Sequence, residues 1–194
     1  MVMDHGHLFR RMFHLCAPAI LVYYLLPGKV FGVPREAWVL AVLLGLLVIE
    51  AMRLFTGRAF FGLREYEKGQ LSAFAWAGIG VTIAFLFFPM PFVVCAVFGL
   101  AWTDPLIGEM RRRKLMRYYP GIPLIIYFCI SASCLLAISG FTKIQVVILS
   151  IVGSIVAISV EKPKLPIDDD FLMLVVPLAA VTIINWYMNF TGLV

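Results

Sequence analysis

AWVLAVLLGLLVIEAMRLF, residues 37–55, runs through thirteen residues without an ionisable group before it meets Glu50, and then Arg53 three places on. At about 1.5 Å per residue these 19 residues extend roughly 28 Å, close to the roughly 30 Å hydrocarbon core of a bilayer. A carboxylate deep in such a helix costs about 2.5–3.5 kcal/mol on insertion scales, so it turns toward a polar interior. Three residues apart, Glu50 and Arg53 share a helical face, and the spacing predicts an internal ion pair.

Working outward, six more stretches have the length and apolarity of a span: about 8–26, 70–88, 91–107, 120–139, 144–160 and 171–190. The fourth and sixth spans in chain order, 91–107 and 144–160, are the short ones. Breakers mark the edges: Pro27, Gly28, Gly32 and Pro34 after the first span, Pro89 and Pro91 between the third and fourth, Gly121, Pro123 and Gly140 around the fifth. Ser150, Gly153, Ser154 and Ala157 offer the sixth helix a close-packing face. The 194 residues are 62% hydrophobic and 14% charged, with a mean hydropathy of +0.98. A soluble domain carries about 25% charged residues, so lipid must solvate much of this surface. The expectation is an all-α, polytopic membrane helix bundle of about seven transmembrane helices, a single domain over residues 1–194. Arg10 and Arg11 ahead of an apolar run resemble a signal peptide, but His14 interrupts it and no small-residue cleavage pattern follows, so a retained first helix is expected. Cys16, Cys95, Cys129 and Cys134 fall within apolar stretches without metal spacing, as free thiols do.

The net charge of +5 is distributed by side. With seven spans, thirteen lysines and arginines share the face of the N-terminus, and only Lys29, Arg35 and Lys143 lie on the other. That bias predicts a cytosolic N-terminus and a multi-pass protein whose charged face looks into the cytosol. It also accounts for the basicity without nucleic acid as a partner. Every acid except Glu36 lies on or near the same face. The topology rule concerns basic residues only, so the acids point to a polar site at that surface.

Four pieces could carry chemistry. Arg10, Arg11 and His14 open the first helix on one face, a grip for phosphate beside a base. Arg64-Glu65-Tyr66-Glu67-Lys68 precede the third helix. Asp104, followed by Pro105 and Gly108, ends the fourth span as a carboxylate suited to a divalent cation, with Arg111, Arg112, Arg113 and Lys114 behind it. Glu161 and Lys162 precede Asp168-Asp169-Asp170, where one acid caps the seventh helix and three together call for a cation.

In this order the pieces resemble the CTP-dependent lipid kinases (dolichol or polyprenol kinase, phytol kinase and yeast-type diacylglycerol kinase), relatives of the CTP-using cytidylyltransferases. The resemblance spans most of the chain: a basic pair then His on the first helix, an Arg/Glu loop at Arg64 to Lys68, Asp104 for the acid of a Gly-Asp motif, and Glu161 with Ile167-Asp168-Asp169 before the last helix. It implies an enzyme that phosphorylates a membrane lipid alcohol, polyprenol-like or diacylglycerol-like, from CTP with Mg²⁺. His14, Asp104 and Asp168 would be catalytic, and Asp104, Asp168 and Asp169 would hold the metal. Arg10, Arg11, Arg64, Glu67, Arg111, Arg112, Glu161 and Lys162 would bind nucleotide. The chain departs from the family at Thr103, where glycine is usual, and at Arg111, where another glycine is expected. It also has no Lys-Thr-x-Glu-Gly segment between Gly108 and Pro123. These departures keep a catalytically inactive lipid- or partner-binding relative as the alternative. A small transporter is the third reading, and homo-oligomerisation stays open.

Overall fold

In the computed structural model, residues 12–58, 63, 65–138, 140–161 and 167–192 are described, residues 65 and 66 by their backbone alone. They form seven helices: α1 Met12–Leu25, α2 Arg35–Thr56, α3 Ala73–Phe87, α4 Met90–Arg112, α5 Gly121–Ile138, α6 Lys143–Val160 and α7 Asp169–Thr191. Two short strands, β1 Lys29–Val30 and β2 Val33–Pro34, pair antiparallel between α1 and α2. Phe31 and Gly32 both take positive φ at the hairpin tip, 51° and 78°, as the twist of a two-residue hairpin requires.

Five helices, α2, α4, α5, α6 and α7, are long and apolar enough to cross a membrane. The short helices are α1 and α3, not the fourth and sixth. Helix α4 continues through Pro105 to Arg112, where Glu109 receives hydrogen bonds from both Arg112 and Arg113 and ties up the last turn. Basic groups there also complement the helix dipole. Helix α3 starts at residue 73 rather than 70 because Ser72 caps it, its Oγ accepting from Ala75 N at 3.3 Å. In α1, Pro18 has no N–H to give the His14 carbonyl, and from Ala17 to Leu25 the chain winds as a 3-10 helix. At about 2.0 Å per residue its nine residues cover roughly 18 Å, against roughly 14 Å in α-form.

Helices α4, α5, α6 and α7 pack together, α3 lies on α7, α2 lies outermost on α3, and α1 lies on α4. The main core joins Val93 of α4, Leu135 of α5, Leu149 of α6 and Leu178 of α7. The small face of α6 is buried there, as its spacing predicts. Gly99 is needed for the α4–α5 contact, since a Cβ at that position would stand 2.5 Å from the Tyr127 ring. Helix α2 inverts the polarity of a soluble helix. Its buried residues are Glu50 and Arg53, whereas Phe55 is 92% and Leu44 65% exposed. Lipid is the solvent that such a surface fits. All four cysteines are free thiols.

Candidate functional site

Three polar ties join the helix ends on one face of the bundle. The first is built on α2. Arg53 donates to both carboxylate oxygens of Glu50, at 3.0 and 2.8 Å, and to the backbone carbonyls of Glu67, Lys68 and Gln70. Glu50 in turn accepts from Ser72 N at 2.6 Å. The ion pair expected from the sequence therefore clamps the loop that leads into α3.

The second tie unites α4, α5 and α6. Arg111 donates to Glu161 at 2.5 Å, just past the end of α6. Tyr119, ahead of α5, donates its hydroxyl at 2.9 Å to the other oxygen of Glu161, and the hydroxyl also lies 3.0 Å from the Ile158 carbonyl. Burial pushes the Tyr119 phenol up to about 12, helped by the hydrogen bond and charge of Glu161.

The third tie is the one with chemistry in it. His14 at the start of α1, Asp104 near the end of α4 and Asp170 in the first turn of α7 meet, with His14 Nε2 3.5 Å from Asp104 Oδ2 and 3.6 Å from Asp170 Oδ2. One ligand atom from each lies within 4.8 Å of the other two. All three side chains are largely shielded, none more than 25% exposed. Aromatic contacts bind α3 to the same region, Phe13 against Phe74 and Trp76 against Phe171.

Of the expected residues, His14 and Asp104 are thus brought together. Asp168 is the cap of α7, its Oδ1 accepting from Asp170 N at 3.1 Å, and with Asp169 it forms a second acidic group that shares Asp170 with the first. Arg111 and Arg112 reach carboxylates, Glu161 and Glu109, and Glu67 is buried beside the Arg53 clamp. Arg10, Arg11, Arg64 and Lys162 lie outside the described residues. Thr103 is fully buried next to Asp104, and the space beside Gly108 is open. The residue that spacing alone did not single out is Asp170. A signal for it exists: Asp170, Leu174, Leu178 and Val181 form the buried stripe of α7, and three- or four-residue steps are the inward period of a helix. Asp168 is off that stripe.

His14 and Asp170 also stand at the polar end of a cavity of about 500 Å³ between α1, α2, α3, α4 and α7. Its other walls are apolar, among them Val42, Leu46, Val81, Val97 and Leu174. Two carboxylates from different helices suit a hard divalent cation, which prefers oxygen ligands. The imidazole between them suits proton transfer. No protein-family model matches the chain, and comparisons with curated proteins and with solved structures find no match.

Proposed function

We propose that this is a seven-span membrane enzyme that transfers the γ-phosphoryl group of CTP to the hydroxyl of a membrane lipid at the cytosolic face. The observation that carries the reading is the meeting of His14 with Asp104 and Asp170, where His14 and Asp170 form the polar end of an otherwise apolar cavity. The charge bias supports the cytosolic orientation, because helix ends rich in Lys and Arg normally stay inside. The choice of CTP and of a lipid alcohol rests on the resemblance described above.

Phosphoryl transfer asks a protein for positioning and charge compensation more than for covalent chemistry. Asp104 and Asp170 would hold Mg²⁺, which supplies charge neutralisation on the triphosphate when bound. His14, in contact distance of both acids, takes the proton of the lipid hydroxyl. That oxygen then forms the new bond to the γ-phosphorus while the bond to the β–γ bridging oxygen breaks, and CDP leaves. Arg111 and Arg112, two turns beyond Asp104 on the same helix and tied to Glu161 and Glu109, would have to exchange those carboxylates for the phosphates of the nucleotide.

The test is turnover of labelled CTP by purified protein in nanodiscs with candidate lipid alcohols. Mg²⁺-dependent lipid phosphate is expected, with at least about a hundredfold loss in Asp104→Asn, Asp170→Asn and His14→Gln. Asp168→Asn keeps a good cap and should stay within a few-fold of the parent. Full activity in Asp104→Asn overturns the reading, and preference for ATP overturns the nucleotide.

A second reading is a lipid-binding relative without catalysis. It is favoured by Arg111 and Arg112 being held by Glu161 and Glu109, together with the missing Lys-Thr-x-Glu-Gly segment. Calorimetry separates the two: CTP binding supports the enzyme, and its absence supports the binder.

A further inference from the structure

The cavity beside His14 and Asp170, at about 500 Å³, falls in the roughly 300–1,000 Å³ range of small-molecule sites. Its shape follows the helix axes. On α3 the wall runs from Ala73 at the helix start to Val81, about 12 Å at 1.5 Å per residue. On α4 it steps inward from Leu100 to Val97, and on α7 from Asp170 to Leu174. An occupant must therefore be polar at the end near the charged face and hydrocarbon along the rest. For a molecule that comes from the bilayer, exchanging lipid neighbours for protein ones brings little hydrophobic gain, since lipid tails are as apolar as leucine. Selection must come from the polar end and from width.

Width is set where α2 meets α3. A Cβ at Gly78 would stand 2.2 Å from Leu46 Cδ2, so Leu46 rests on the bare backbone of α3. Both residues line the cavity. A side chain at residue 78 would displace Leu46, and the open space next to it is the cavity itself.

We propose that the cavity holds the hydrocarbon chain of a membrane lipid alcohol, hydroxyl toward His14 and Asp170, and that the Gly78–Leu46 contact sets the chain width it admits. The inference rests on the proposed function for the identity of the polar end, and its test needs no nucleotide. Two photoreactive alcohols, one straight-chain and one methyl-branched isoprenoid, each with a diazirine on the chain, are crosslinked to the full protein in nanodiscs, and adducts are mapped by mass spectrometry. Adducts are expected on the cavity walls of α2, α3 and α7. Gly78→Ala should lower labelling by the branched probe relative to the straight one by about tenfold, the scale of a methylene-sized change in a pocket. Leu46→Ala, which only removes atoms, should raise branched labelling alone and restore it in the Gly78→Ala background. Adducts spread over the outward face of α2, or a branched-to-straight ratio unmoved by either variant, would overturn the proposal. Cavity labelling that responds to these variants in a protein without CTP turnover sustains it while removing phosphoryl transfer. Turnover with an unlabelled cavity removes it alone.

Discussion

Glu50 and Arg53 show what a buried charge does when every one of its neighbours is fixed. Glu50 holds Arg53 and Ser72 N, and Arg53 holds three carbonyls of the loop before α3. Removing one partner leaves the other buried and uncompensated, a loss of about 3–5 kcal/mol. Glu50→Gln should therefore lower the melting midpoint in detergent strongly, while Glu50→Gln with Arg53→Met recovers part of the loss. Equal melting of Glu50→Gln and parent would contradict the clamp. This pair was legible in the sequence because two charges in an apolar run have few other places to go. The inward member of the three adjacent aspartates was not legible in that way. Three carboxylates in a row look alike until the helix start is known, and the cap at Asp168 decides which of them turns inward.

At the scale of elements, the existence of each helix follows from apolar length and breakers, but the ends obey local chemistry. Pro105 reads as an end and is passed through, because Glu109 with its two arginines sustains another turn. The α4–α5 contact depends on Gly99. Adding a methyl there meets a ring that has no room to yield, since Tyr127 is 2% exposed, and overpacking of this kind costs about 1–3 kcal/mol. Gly99→Ala should destabilise, and Tyr127→Leu should relieve it in the double variant, as read by thermal melting. The tie between α5 and α6 has a pH signature. With its phenol raised from 10.0 to about 12, the folded state keeps a proton that the unfolded chain loses. Stability from Tyr119 is therefore complete below about pH 10 and falls as pH rises toward 12. Tyr119→Phe should show a smaller decline over that window in melting measurements, and an unchanged decline would contradict the assignment.

For the whole molecule, the three ties place the ends of all seven helices on one face, with His14, Asp104 and Asp170 among them. Cysteine-accessibility mapping in sealed vesicles checks the topology. In a background without native cysteines, Arg113→Cys and Lys29→Cys should react from opposite sides, and labelling of both from one side would contradict a spanning bundle. The helix content and the charged face were readable from composition and spacing. Which helices neighbour which was not, since an apolar surface facing lipid and one facing a helix have the same residues. One wall of the cavity has a regularity of its own. A 3-10 helix has three residues per turn, so Ala17, Ile20 and Tyr23 stand in single file instead of spiralling away as they would in α-form. That file leads from the imidazole at one face to Tyr23, which donates to Glu36 at the other. Pro18 withholds a donor from the ladder after His14, and in the 3-10 winding that follows Ala17 and Ile20, both on the cavity wall, share one straight edge.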